Sequence, residues 1–250
     1  MTTSHPRPLR AIAPLVLALS LGCAPFDEPA SAWFELFNGQ DLTGWTPKVT
    51  GFEPGEDPLE TFHVKDGLLT VGYDNYDTFE NRFGHLFYKA PFSHYELLVE
   101  YRFVGTQVPE GPEWAFKNSG VMFHAQSPQT MLRDQDFPVS LEVQFLGGSG
   151  SEPRPTSNLC TPGTHVEMGG EQIVDHCVPA AAPTFHGEEW VAASVIVLGD
   201  SLVHHVVAGD TVLTYSAPVV GGGEVNGYDP SAKPDGARLS EGYLALQSES

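Results

Sequence analysis

The segment Ser140-Leu141-Glu142-Val143-Gln144-Phe145 sets a carboxylate and an amide two residues apart among alternating apolar side chains. In an extended strand that spacing points Glu142 and Gln144 off one face, about 7 Å apart along the chain. A carboxylate so placed can act as general acid or base, and an amide beside it can hold a hydroxyl. Sugars lie across such a face in jelly-roll sandwiches, where it is often concave. The plainer alternative is a solvated outer face with no chemistry.

Other residues could join them. Asn118-Ser119-Gly120-Val121-Met122-Phe123-His124 precedes the Glu142 segment. His124 is a candidate base or metal ligand, and a packing residue if not. Asn118 stands at the start of that strand, where it could simply form a turn. His165 and Glu167 follow the Cys160 loop and face the same way if the chain is extended there, so they could share a substrate or a metal. The plainer reading is a stapled loop with exposed polar groups. His204 and His205 are adjacent on a strand, so they point to opposite faces and do not readily chelate one ion together. Trp33, Trp45 and Trp114 have apolar faces on which a sugar ring could stack, although most aromatics are core. Trp114 lies in a Pro/Glu-rich loop, 107–117, and is the best candidate for exposure. The sequence contains no H-E-x-x-H, no Walker loop, no G-x-S-x-G, no EF-hand, no dinucleotide fingerprint and no strong zinc pattern. No motif demands a cofactor; a divalent cation remains compatible with the chemistry.

The elements that must position these residues read as strands. No useful window carries a helical period, whereas alternation is common. Tyr95, Leu97, Val99, Tyr101 and Phe103 share a face in the stretch Ser93 to Val104. Phe62–Val64 and Leu68–Val71 flank Lys65-Asp66-Gly67, a hairpin signal. Leu202–Val207 and Thr211–Tyr215 flank Ala208-Gly209-Asp210, another. Trp190 to Leu198 reads as a central strand and Tyr243 to Gln247 as the last. About a dozen short strands predict an all-β antiparallel β-sandwich or jelly roll. Two long connections, 147–164 and 221–239, interrupt it. The 26 Gly and 21 Pro are not periodic and read as turn formers.

The N-terminus reads as an address. Arg7 and Arg10 precede an apolar run from Ala11 to Leu21, too short to span a bilayer but suited to a signal peptide. It ends in Leu19-Ser20-Leu21-Gly22-Cys23, which resembles a lipoprotein signal with Cys23 as the lipidated residue. Ordinary cleaved secretion is the alternative. Residues 1–23 are thus expected as the signal, 24–32 as a tether and 33–250 as the folded domain. The protein is expected at the cell envelope, held to the membrane by a lipid anchor. Cys23 accounts for the odd cysteine, so Cys160 and Cys177 are expected to form a disulfide in an oxidising compartment. The net charge of −20 falls further once the two leader arginines are removed. A surface so acidic repels phosphate backbones and argues against a nucleic-acid partner.

Taken in order, several stretches resemble the 3-keto-disaccharide hydrolase family, related in fold to concanavalin A-like lectins and glucanases. Leu36-Phe37-Asn38-Gly39-Gln40-Asp41-Leu42-Thr43-Gly44-Trp45 is similar to its opening strand and turn. Phe62-His63-Val64-Lys65-Asp66-Gly67-Leu68-Leu69 is similar to its hairpin, with Phe62 where a Trp is usual. Asn118-Ser119-Gly120-Val121, Leu141-Glu142-Val143-Gln144 and Leu246-Gln247-Ser248-Glu249-Ser250 resemble its N-S-G, E-x-Q and closing L-Q segments. Family members usually continue into a further strand, so this chain is expected to be truncated or to lack that strand, with a sheet edge exposed.

The resemblance implies hydrolysis, or elimination and hydration, of glycosides already oxidised at C3. A C3 ketone acidifies the C2 proton, which a carboxylate or His can remove. The enolate then needs a cation or hydrogen-bond donors. The implied roles are acid/base for Glu142, hydroxyl binding for Gln144, Asn118 and Gln247, and metal binding or proton transfer for His124 or His165. The substrate would be a glycan or keto-sugar, and a separate sugar oxidoreductase would supply the ketone. A non-catalytic carbohydrate-binding module is the alternative, since the fold serves both. An ordinary β-glycanase would want further carboxylates alternating along the Glu142 strand, and only Glu142 is there.

Overall fold

The computed structural model describes residues 33–150 and 152–250, and the folded unit runs from Leu36 to Ser250. The leader, the tether and Cys23 lie outside the described residues. The described residues form fifteen strands, most of them with alternating apolar side chains. They are β1 (Trp45–Val49), β2 (Phe62–Lys65), β3 (Leu68–Val71), β4 (Gly84–Tyr88), β5 (His94–Tyr101), β6 (Asn118–Ala125), β7 (Leu141–Leu146) and β8 (Asn158–Cys160). Then follow β9 (Thr164–Met168), β10 (Glu171–Ile173), β11 (Cys177–Val178), β12 (Val191–Leu198), β13 (Leu202–Val207), β14 (Asp210–Val220) and β15 (Tyr243–Ser248). Among the described residues the helical turns are short and 3₁₀, at Glu113–Ala115, Pro128–Thr130 and Pro230–Ala232.

Two antiparallel sheets make the sandwich expected from the sequence. One has the order β1-β4-β15-β6-β7-β8-β11 and the other β10-β9-β14-β13-β12-β5. This is an all-β antiparallel sandwich. Val121, Phe123, Leu141, Val143, Phe145 and Leu159 from the first sheet pack against Ala193, Val195, Val197, Val203, Val207 and Tyr215 from the second. Their burial drives the stacking of the sheets. The β2–β3 hairpin turns through Asp66 and Gly67, both with positive φ. Such a pair matches the right-handed twist of the strands it joins. The β13–β14 turn uses Ala208 and Gly209; Asp210 belongs to β14, opposite Val207.

Three features differ from the sequence expectation. Strand β4 was not anticipated, because Gly84–Tyr88 is buried on both faces and shows no alternation. Strand β15 is an inner strand, paired on both sides with β4 and β6. Trp45 is half-buried in the core, edge-on to Tyr88 at 5.2 Å, and is no sugar platform.

The reason β4 is covered is a roof over the outer face of the seven-stranded sheet. Segments 72–83, 105–117 and 126–139 cross it. Tyr76, Phe79, Phe83 and Val108 form one buried cluster there, with Tyr73 and Phe137 packed on it. Met131 joins Phe87, Met122 and Ala245 in another. The face that carries Glu142 is therefore not a solvated surface.

Candidate functional site

Strand register places the site. Residues directly paired across a sheet share a face. Glu142 faces Met122, Met122 faces Ala245 and Ala245 faces Phe87. One step along, Gln144 pairs with Gly120 and with Asn158, while Gln247 pairs with His85 and His85 with Lys48. The outer face of the sheet thus carries Lys48, His85, Gln247, Asn118, Glu142, Gln144 and Asn158, and the roof aromatic Phe137 packs against His85.

Most of these groups are buried, and several are short of partners. Glu142 is only 4% exposed. Among the described residues, Oε1 of Glu142, Oε2 of Glu249, Oε1 of Gln247, Oδ1 of Asn118 and both ring nitrogens of His85 have no hydrogen-bond partner. Buried polar groups are normally paired, so such a concentration on one face is costly and marks a place built for something other than stability. Glu142 lies over Gly120, where a Cβ would stand 2.5 Å from Oε1. Gln247 donates from Nε2 to Oε1 of Glu249 at 2.9 Å. Gln144 is held in turn by Asn158, whose Nδ2 donates to Oε1 at 3.0 Å.

Burial sets the charge states. It pushes the Glu142 carboxyl up to about 8. The Glu249 carboxyl is raised well above its ordinary range, first by burial and then by the Glu142 charge. Two carboxyls in one dry site do not both ionise readily. His85 falls to about 3, because burial and the Lys48 ammonium both oppose its protonation. It is a neutral imidazole. Lys48 falls to about 8 by burial and donates to the carbonyls of Val49 and Arg133. A buried constellation of shifted groups is where acid–base chemistry is usually found.

The structure brings Glu142, Gln144, Asn118 and Gln247 onto one face. It does not bring His124 or His165 to them. His124 follows an irregularity in the β15–β6 register and has a φ of 48°, and its Nε2 bonds the Gly199 carbonyl in the β12–β13 turn at 3.0 Å. Its charged neighbours are Asp200, Glu241 and His94. His165 lies on β9 in the other sheet, with its ring against Gly221 and Gly222. Trp114 is 54% exposed at the rim, stacked on Phe83 at 5.8 Å. Phe83 packs on Phe137, and Phe137 meets the His85 ring edge-on at 5.6 Å. An aromatic series therefore runs from the surface to the buried face. Trp33 is also exposed.

Sequence reasoning missed Lys48, His85 and Glu249 as site residues. Glu249 had a visible signal, two residues after Gln247 and hence on the same side of an extended chain. Lys48 and His85 had none, because neither sits in an alternating pattern.

Cys160 and Cys177 form the expected disulfide, directly opposite each other in the β8–β11 register. Cys160 is also the direct partner of Glu142 across β7–β8. His176 adjoins the bridge; with both sulfurs oxidised the three offer no thiolate to a metal. His204 and His205 diverge as expected. His205 is buried, and its Nδ1 donates to the Ser157 carbonyl while Nε2 accepts from the Tyr215 hydroxyl, each at 2.8 Å.

No curated protein matches the chain. Among solved structures it is similar to a crystal structure of a protein of unknown function with a galectin-like fold from Bacillus subtilis. The two share 11% identity over 82% of this chain and 83% of the other, with a TM-score of 0.37. Residues 32–250 match the family described as the 3-keto-alpha-glucoside-1,2-lyase-like domain. The match takes in every strand and every residue of the buried constellation, and the chain belongs to that family.

Proposed function

We propose that the domain cleaves the glycosidic bond of 3-keto-glycosides, with Glu142 as its acid/base group. The observation that carries this reading is the buried Glu142 carboxyl on a face with Gln247, Asn118 and His85, all with unpartnered polar atoms. The ketone at C3 makes the C2 proton removable. A desolvated carboxylate is a stronger base than a hydrated one, and a carboxyl whose proton affinity lies near neutrality is suited to proton transfer. Loss of the C2 proton expels the aglycone from C1 and leaves a C1=C2 double bond; water can add back across it.

The other groups serve binding. The free amide oxygens of Gln247 and Asn118 accept hydrogen bonds from ring hydroxyls, and the N–H of the neutral His85 donates to the oxygen that gains charge. Gln144, braced by Asn158, extends that row toward β8. Trp114 at the rim offers an apolar face to a second sugar. Substrate reaches Glu142 once segments 72–83, 105–117 and 126–139 part, as water is excluded when they close. The domain works outside the cytoplasm, tethered through a lipid on Cys23, and receives its ketone from a separate sugar oxidoreductase. A binding module would place recognition on exposed aromatics and would not need a sealed carboxyl, which favours the enzyme.

The test is aglycone release. The purified domain is incubated with a 3-keto-glucoside and with the unoxidised glucoside, with and without chelator. Release is expected from the keto substrate alone. No release from it sinks the enzyme reading. Release unchanged in Glu142→Gln would remove Glu142 from the mechanism while leaving the activity standing. Loss on chelation would add a divalent cation to the site.

A further inference from the structure

We propose that Glu249 is a second catalytic carboxyl, and that it shares one proton with Glu142, which takes the C2 proton while Glu249 protonates the departing C1 oxygen. This rests on the cleavage of 3-keto-glycosides proposed above.

The geometry carries it. Glu249 follows β15 by one residue, two after Gln247 and so on the same side of the sheet, where it is buried and feels the Glu142 charge. Glu142 leans across Gly120 toward β15, because no Cβ blocks it. Oε1 of Glu249 is fixed by Gln247, which leaves Oε2 without a partner. Oε1 of Glu142 is without one too. One proton held between two buried carboxyls answers both oxygens at once. The roof holds Glu249 in place: the Tyr73 hydroxyl accepts from the backbone N–H of Ser250 at 2.7 Å and meets Oγ of Ser248 at 3.1 Å. The residues on either side of Glu249 are thereby fastened to segment 72–83. Of the other titratable groups, Tyr73 in the roof meets Glu249 and His85 pairs with Gln247 beside it; Tyr76 lies beyond Tyr73 and Lys48 beyond His85. His85 is held neutral, and Tyr73 is pushed up to about 12 by burial, so neither supplies a competing proton near neutrality. Burial shifts both carboxyls upward and the Glu142 charge raises Glu249 further, so the pair gives up its first proton well before its second and passes through a singly protonated state.

The step balances. Glu142 gains the C2 proton, and the C2–H electron pair becomes the C1=C2 bond. The C1–O bond breaks toward the aglycone oxygen, which takes the proton from Glu249. The products are a 2-hydroxy-3-keto-glycal and a free alcohol. The pair still holds one proton, now on Glu142, and passing it back to Glu249 resets the site.

Two 3-keto-glucosides separate the roles, one with an alkyl alcohol as leaving group and one with 4-nitrophenol, which departs without protonation. Glu249→Gln is expected to lose about 100-fold in kcat on the alkyl glycoside and far less on the nitrophenyl one. Glu142→Gln should lose equally on both. Glu249→Asp, which keeps a carboxyl, should recover part of the alkyl rate. A readout independent of substrate is the infrared carbonyl band of a protonated carboxyl at about pH 7, present in wild type and absent from the double Gln variant. Far-UV circular dichroism confirms that each variant is folded. The proposal is overturned if Glu249→Gln stays within about threefold of wild type on the alkyl glycoside, or if both leaving groups suffer alike. It is overturned equally if wild type lacks the band, or if a stoichiometric divalent metal is found and chelation abolishes release, since the carboxyls are then its ligands. Wild type inert on both keto substrates, with the band present, leaves the shared proton standing and removes the cleavage reading instead.

Discussion

A Cβ on residue 120 would stand 2.5 Å from Oε1 of Glu142 and 2.9 Å from the carbonyl of Val143. Gly120 is thus what lets the buried carboxyl cross β6. The Gly120→Ala variant should displace Glu142 and strain β7, at a cost of about 1–3 kcal/mol. Urea unfolding measures the loss, and aglycone release should fall by more than the folded fraction does. An unchanged midpoint and rate would show that the carboxyl has room elsewhere.

The raised Glu142 and Glu249 carboxyls set a pH trend. Their folded proton affinity exceeds that of the unfolded chain, so the folded state binds more protons between about pH 4.5 and 8, and stability falls as pH rises through that window. His205 works oppositely. Burial lowers it to about 4, so the unfolded state binds more protons below about 6.5 and stability falls as pH drops. Unfolding midpoints from pH 4 to 9 should therefore pass through a maximum. Glu142→Gln with Glu249→Gln should flatten the alkaline limb and leave the acid limb in place.

Tyr215 supplies the hydrogen bond that His205 accepts at Nε2. Removing it in Tyr215→Phe leaves a fully buried nitrogen unpaired, which should cost about 1–3 kcal/mol. Denaturant melts check this, and release of aglycone by the folded fraction should not change.

The Cys160–Cys177 bridge closes a loop with a sequence separation of 17. Replacing both with Ser should lower stability by about 3 kcal/mol in the chain-entropy account. Because Cys160 pairs directly with Glu142, loosening of β8 should also depress the rate. A reductant should reproduce both effects in wild type and neither in the variant.

Trp114 stacks one face on Phe83 and leaves the rest to solvent. Trp114→Ala should raise KM for a disaccharide about tenfold with kcat little altered, since it removes binding remote from the bond that breaks. A fall in kcat at constant KM would move Trp114 from binding to closure of the roof.

Much of this architecture was legible because half-buried strands alternate. The core face of β5 and β7, both hairpins and the disulfide followed from side-chain period, turn residues and cysteine parity. Asn118 and Gln247 were named only through the family resemblance, whereas the shared face of Glu142 and Gln144 followed from the same period. His124 did not, because an irregular register and a positive φ redirected a side chain that alternation would have placed beside Glu142. Lys48 and His85 were invisible for a different reason. The roof buries the outer face of β4, so Gly84–Tyr88 reads as five undifferentiated positions rather than a strand with an inside and an outside. The roof itself is built of irregular segments whose aromatics, Tyr76, Phe79 and Phe83, carry no period.

The place of β15 has a consequence for how the chain assembles. The last of the described strands lies between β4 and β6, and among the described residues no other strand pairing links β1–β4 to β6–β7–β8–β11. Until residues 243–248 arrive, the larger sheet exists as two separate ribbons. Closure then depends on contacts spanning more than a hundred residues of chain, such as Leu246 with Val121 and Leu86. Pairing at that separation is slow, so the β15 seam is expected to be rate-limiting in refolding. A chaperone or a protease would meet the chain in that unsealed state.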